Sequence, residues 1–209
     1  MKIAAHTLNS NDPQAIPTAE RIIHEGGLIA FPTDTIYGVA SDPFNPGSIQ
    51  RIFTAKERPE EKALPVLIGD FAQLDNLVLH VDERLRRIAA AFWPGALTLI
   101  LPKASNLPPA LTPYPTVGVR MPNLTFTLEL LKKTGPLATT SANISGGPNP
   151  VDAANVMAQL GGRIDLILDG GPTSGPTAST VADLSGSEIQ ILRAGPISLS
   201  DLQSCLDEE

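Results

Sequence analysis

Lys56-Glu57-Arg58-Pro59 sets an ammonium and a guanidinium two positions apart in a polar stretch, and Thr140-Ser141-Ala142-Asn143-Ile144-Ser145-Gly146-Gly147 supplies small residues and side-chain donors. Fixed cations beside a donor-rich turn are the ingredients of a phosphate site. A helix ending near Lys56 favours a cation there through its dipole, while Arg58, pushed extended by Pro59, offers a planar fork to phosphate or carboxylate. Lys62 adds a further cation. The same residues also read as a solvated charge run, because Glu57, Glu60 and Glu61 interleave with them and can pair with them. No Gly-Lys-Ser/Thr closes a glycine-rich loop, no Gly-x-Gly-x-x-Gly follows a strand, and no His-Glu-x-x-His is present. Nucleotide chemistry in this chain must use a less familiar cradle.

Other polar groups stand at strand ends. Pro32-Thr33-Asp34-Thr35-Ile36-Tyr37-Gly38 follows an apolar run and presents hydroxyls, a carboxylate and a phenol where α/β sheets hold ligands; a turn whose side chains bond nearby backbone is the plainer reading. Arg120 lies within Val117-Gly118-Val119-Arg120-Met121-Pro122, so its charge must leave the core or find an anion, in a salt bridge or a ligand pocket. Arg193, at the end of Gln190-Ile191-Leu192, poses the same question. His6, His24 and His80 lack companions at metal-ligand spacing, and Trp93 beside Pro94 reads as core packing.

These groups need a scaffold, and composition bounds it. With 209 residues, 42% hydrophobic, the chain is long enough for one well-buried core, and no linker-like stretch divides it. A single cysteine, Cys205, excludes a disulfide framework and fits a reducing compartment; three histidines and one cysteine do not make an ordinary zinc site. The N-terminus runs quickly from Met1-Lys2-Ile3 into Asn9, Asn11 and Asp12, unlike a signal peptide, and no apolar run nears the roughly 18 residues of a membrane span. The expectation is a soluble, cytoplasmic protein. A net charge of -7 argues against a broad nucleic-acid surface but leaves room for local cationic pockets.

Apolar runs alternate with helical patterns, which predicts an α/β fold. Helices are expected over Thr18–Glu25, stopped by Gly26-Gly27; over Gly47–Lys56, capped by Asn45 with Pro46 in its first turn; after Asp70 and after Asp82; from Asn123 to about Thr134; and from Asp152 to Leu160. Strands are expected over Leu28–Phe31, Leu64–Ile68, Ala96–Leu101, Thr116–Met121, Leu137–Thr140, Ile164–Leu168, Thr180–Leu184 and Ile189–Arg193. Consecutive C-terminal strands without intervening helices predict a mixed parallel and antiparallel sheet. The twenty prolines fall mostly at turns and imply loops of restricted shape.

Taken in order, Pro32–Gly38, Lys56–Pro59, Val117–Pro122 and Thr140–Gly146 resemble the motifs of the YrdC/Sua5 family, and the similarity spans about Gly26 to Pro196. The resemblance implies a twisted mixed α/β sheet with flanking helices around a concave, positively lined cavity. It implies one YrdC-like domain over residues 1–209, its core about 15–197, like the short members that lack an additional C-terminal domain. The implied activity is L-threonylcarbamoyladenylate synthesis: L-threonine, bicarbonate and ATP, with Mg2+ accompanying the ATP, give threonylcarbamoyl-AMP and pyrophosphate. That product feeds N6-threonylcarbamoyladenosine at position 37 of tRNA, so tRNA and downstream threonylcarbamoyl-transfer proteins are the implied partners.

Carried over by motif, Thr35, Leu67, Arg120, Thr139 and Thr180 are expected around threonine. Arg58, Lys62, Thr116, Ser141, Asn149 and Arg193 are expected around ATP, and Lys56 and Arg58 carry the catalytic charge; no protein side chain is assigned to a metal. The chain departs from the family pattern at Lys62-Ala63-Leu64, where Asn-Pro-Leu is common, at Leu67, where histidine is common, and at Asn149, where serine is common. The competing readings are a related RNA- or nucleotide-binding protein without this activity and a carbamoyl-handling enzyme with another acceptor.

Overall fold

The structure is a computed structural model that describes residues 5–59, 61–173 and 179–207. Met1–Ala4, on which part of the N-terminal reading rests, and Glu60, one of the acidic neighbours of Lys56 and Arg58, lie outside the described residues. In chain order the strands are β1 His6–Asn9, β2 Ile29–Phe31, β3 Gly38–Ser41, β4 Val66–Leu67, β5 Leu97–Pro102, β6 Thr116–Arg120, β7 Leu137–Ser141, β8 Leu166–Asp169, β9 Thr180–Asp183 and β10 Gln190–Arg193. The α-helices are α1 Ala15–His24, α2 Pro46–Lys56, α3 Glu83–Phe92, α4 Thr125–Thr134, α5 Ala153–Leu160 and α6 Leu199–Asp207.

All ten strands form one sheet in the order β1-β8-β2-β3-β7-β4-β6-β5-β9-β10. It is mixed, as expected: β8 runs parallel to β1 and β2, β4 to β6, and β5 to β9, while β2/β3, β3/β7, β4/β7, β5/β6 and β9/β10 are antiparallel. Alternation along the strands divides the core between two faces. Leu28, Ala30, Val39, Val66, Val119, Leu99 and Ala138 join the larger core, which α2, α3, α5 and α6 cover through Ile52, Ile88, Val156 and Leu202. Ile29, Phe31, Ala40, Leu137 and Leu166 form a smaller core under α1 and α4, with Ala19, Ile23, Leu130 and Leu131.

Local chemistry accounts for the helix ends. Asn45 accepts from the Gly47 and Ser48 amides, Asp82 from Leu85 and Asp152 from Asn155. Removing such a cap typically costs about 1 kcal/mol. Glu57 closes α2 in a left-handed conformation, φ 52°, which turns the chain sharply ahead of Arg58.

Several expectations need correction. α1 starts at Ala15, not Thr18, and Asp70 caps a short 3₁₀ helix, Phe71–Asn76, in place of an α-helix. Asn123 caps nothing: the capping position is Leu124 and has no side-chain bond. β4 shrinks to Val66–Leu67. Unforeseen were β3, whose residues are all buried, β1, which pairs with β8, and α6, which places Leu202 in the core; β1 and α6 carry the fold beyond residues 15–197.

Candidate active site

Beyond α1 and α4, the second sheet face continues as the floor of a cleft of about 410 Å³. Period-2 alternation builds it: Thr98, Arg120 and Thr139 point into it while Leu97, Leu99, Val119 and Ala138 enter the larger core. Across the floor, β3, β7, β4, β6, β5, β9 and β10 are consecutive neighbours, so residues far apart in sequence meet on adjoining strands.

The turn after β2 forms one wall. Thr33 Oγ1 donates to Ile36 O at 2.6 Å and accepts from the Thr35 and Ile36 amides, and Thr127 Oγ1 of α4 donates to Pro32 O at 2.6 Å. The turn is thus fixed from within and from behind. Thr33 and Thr35 hydroxyls lie 3.0 Å apart. Because the single Thr33 hydrogen is engaged at Ile36, Thr35 donates across this contact, and its oxygen keeps acceptor capacity for a ligand in the cleft. Tyr37 is fully buried and braces the wall: its hydroxyl donates to Gly171 O at 2.7 Å and accepts from the Gly170 amide at 3.1 Å. Burial pushes its phenol up to about 12. Gly38 is required by proximity, since a Cβ there would stand 2.8 Å from Thr139 Cγ2.

Three arginines reach the cleft, and the protein holds each differently. Arg120, 8% exposed, donates Nε to Gly95 O at 2.9 Å and Nη2 to both carboxylate oxygens of Asp34 at 2.8 Å. Its pKa is lowered by burial, raised by Asp34 and lowered again by the charge of Arg193. Arg193 closes Nε and Nη2 on Ser179 O, at 3.1 and 2.9 Å, and Nη2 also on Ser179 Oγ at 3.0 Å, itself 2.9 Å from Thr98 Oγ1. Arg58 is the least satisfied: Nη2 reaches Ala63 O at 3.2 Å, and its buried Nε has no hydrogen-bond partner among the described residues. Burial lowers its pKa, but a guanidinium starts so far above neutrality that it stays charged. An orphaned buried donor on a cation calls for an anion.

Lys56 has a different place. It is 1% exposed, does not line the cleft, and donates Nζ to the carbonyls of Ser141 and Asn143, the latter at 2.5 Å. Burial, then the charge of Arg58, lowers its pKa to about 8. Its work is to hold the turn after β7, which the side-chain Nδ2 of Asn143 closes by donating to Ile144 O and Gly147 O at 3.0 and 2.9 Å. Gly146 takes φ +82°, the left-handed conformation that suits glycine.

Of the residues singled out in the sequence, Thr35, Arg58, Leu67, Arg120, Thr139, Ser141, Asn149 and Arg193 line the cleft together. Lys56, Lys62, Thr116 and Thr180 do not. Lys62 is exposed in a turn, and Thr116 opens β6 opposite Pro102. Thr180 is fully buried, its hydroxyl bonding both the carbonyl and the amide of Ile197 at 2.9 Å. Thr98 and Ser179 line the cleft and were missed. The signal for Thr98 was a lone hydroxyl between Leu97 and Leu99 in a strand otherwise apolar.

No carboxylate occurs among the described residues lining the cleft, and no group of three His, Cys, Asp or Glu side chains there or elsewhere in the described chain could hold a metal ion. Three guanidinium groups over a hydroxyl-lined floor give this α/β protein a cleft whose charge and donors suit a small anionic ligand. The chain belongs to the Sua5/YciO/YrdC family, whose model, described as "Telomere recombination", matches residues 21–195. The threonylcarbamoyl-AMP synthase of Bacillus subtilis is 42% identical over 165 residues, which cover 78% of this chain and 47% of the relative. The chain thus spans about half the length of that relative. The structure of Pyrococcus abyssi Sua5 complexed with L-threonine matches with a TM-score of 0.88 at 37% identity, over 100% of this chain and 62% of that one. Escherichia coli YciO matches with a TM-score of 0.82 at 25% identity, over 96% and 99%.

Proposed function

We propose that this chain is an L-threonylcarbamoyl-AMP synthase, making threonylcarbamoyl-AMP and pyrophosphate from L-threonine, bicarbonate and ATP. The observation that carries the reading is the convergence of Arg58, Arg120 and Arg193 on one cleft with Thr35 and Ser141, in a chain of this family. Its likeness to a threonylcarbamoyl-AMP synthase and to a Sua5 complexed with L-threonine supports it.

The neutral amine of threonine adds to the carbon of bicarbonate with loss of water, giving a carbamate. A carbamate oxygen then attacks the α-phosphorus of ATP, the bond to the bridging oxygen breaks, and pyrophosphate leaves with that electron pair. No side-chain nucleophile is needed. Catalysis comes from holding two anionic reactants together and meeting the charge that develops in transfer. Arg120 takes the threonine carboxylate, Thr35 accepts from threonine, and Leu67 and Thr139 pack beside it. Arg58, Arg193, Ser141 and Asn149 face the nucleotide, with Arg58 nearest in role to the transferring phosphate. Lys56 supports the nucleotide side through the Ser141–Asn143 turn, while Lys62, Thr116 and Thr180 touch no substrate in this reading. Magnesium arrives on the triphosphate, as part of the substrate, because the lining offers cations and hydroxyls in place of carboxylates. The reaction belongs in the cytoplasm, where the product passes to the proteins that modify tRNA.

The purified chain incubated with ATP, magnesium, bicarbonate and threonine should release pyrophosphate and give the adenylate by mass spectrometry, with each omission abolishing both. Tight tRNA binding without threonine-dependent pyrophosphate would instead make it a binding protein. Equal turnover with other amines would make it a carbamoyl-handling enzyme of another kind.

A further inference from the structure

Asp34 is absent from the lining of the cleft, yet both of its oxygens lie 2.8 Å from Nη2 of Arg120, whose side chain is 9% exposed. The arrangement differs from a side-on carboxylate–guanidinium fork, in which two nitrogens of the arginine would be occupied. Here the carboxylate caps one nitrogen end-on, and Gly95 O takes Nε from another side. Among the described residues nothing bonds Nη1, so a single guanidinium corner is left to the cleft. Arg120 also feels the positive charge of Arg193 across the cavity, and Asp34 is the carboxylate that offsets it. Asp34 sits in the turn that Thr33 closes and Thr127 anchors, so its own position is fixed by the wall carrying Thr35.

From this geometry we infer that Asp34 is a positioning residue that aims the Nη1 corner of Arg120 at the carboxylate of the amino-acid substrate. Asp34 touches no substrate itself. It ties the aim of Arg120 to the same turn that presents Thr35, so the two contacts on threonine are set by one wall. The inference rests on the synthase reading for the identity of the ligand, but not for the restraint on Arg120.

Asp34→Asn keeps the shape and removes the charge. In the synthase assay the variant should raise the KM for threonine by about tenfold or more, the usual effect of losing a charged hydrogen-bond partner, with kcat and the KM for ATP within about twofold of the parent. In an Arg120→Ala background the same substitution should add nothing to the threonine KM, because there is no guanidinium left to aim. Independently of activity, 15N NMR of the Arg120 guanidinium should show slow rotation of its terminal nitrogens in the parent and faster rotation in Asp34→Asn. An unchanged threonine KM, equal increases in the KM for threonine and ATP, a full further loss on Arg120→Ala, or unchanged guanidinium rotation would each overturn the assignment. A parent protein that makes no adenylate, while its Arg120 rotation still depends on Asp34, would sink the synthase reading and leave the positioning role standing.

Discussion

Lys56 Nζ lies 2.5 Å from the carbonyl oxygen of Asn143, a residue 87 positions further along the chain. The end of α2 and the turn after β7 are therefore joined by one buried ammonium, reinforced by the Ser145 amide donating to Lys56 O at 2.8 Å. A residue whose type suggested catalytic charge is engaged with backbone on the far side of the cleft wall.

Lys56→Met should therefore act first on stability. A buried and a half-buried carbonyl lose their donor, at about 1–3 kcal/mol each, so denaturant unfolding should show a loss of about 2–6 kcal/mol. The parent should also have a pH signature that the variant lacks. Lys56 releases its proton near pH 8 when folded and near 10.5 when unfolded, so between these values the unfolded chain holds the extra proton. Stability of the parent should rise relative to Lys56→Met from about pH 8 to 10.5, and parallel curves across that window would contradict the buried ammonium.

Arg58→Ala tests the cation with the orphaned Nε. Loss of a preorganised charge contact in phosphoryl transfer should lower kcat by about a hundredfold or more with little change in the KM for threonine. Steady-state kinetics with each substrate varied in turn decides it, and parental turnover would remove Arg58 from the mechanism.

Thr35→Ala removes a hydroxyl whose oxygen is open to the cleft. The KM for threonine should rise about three- to tenfold, the worth of one neutral hydrogen bond, while the KM for ATP stays put. Calorimetric titration with threonine would show the same ratio in Kd.

Thr180→Val separates a structural hydroxyl from a binding one. Its bonds to the Ile197 amide and carbonyl would be lost from a fully buried site, so a destabilisation of about 1–3 kcal/mol is expected in thermal or denaturant unfolding. Threonine KM should be unchanged, and a selective rise would restore Thr180 to the binding site.

What the sequence made legible were elements with strong local rules. Asn45-Pro46, Asp82 and Asp152 announced helix starts because capping is decided within four residues. The mixed sheet followed from strands that succeed one another near the C-terminus. β3 was hidden because Gly38-Val39-Ala40-Ser41 is short, carries glycine, and becomes a strand only between β2 and β7. The cationic residues were visible as types, but their directions were not. Lys56 and Arg58 are two positions apart, and the left-handed Glu57 between them sends one inward to backbone and the other to the cleft. Thr98 needed the pairing of β5 with β6 and β9 before its hydroxyl could be placed against Ser179, the residue that Arg193 grips.

The floor of the cleft is laid across seven neighbouring strands, from β3 to β10, with each contributing or flanking a lining residue. Its lining runs from Thr33 to Arg193, so neither half of the chain carries all of it. Occupancy by a small molecule is therefore coupled to the integrity of the entire sheet, so that substrate should slow amide exchange on strands it never touches, β1 and β8 included, as much as in the loops it contacts.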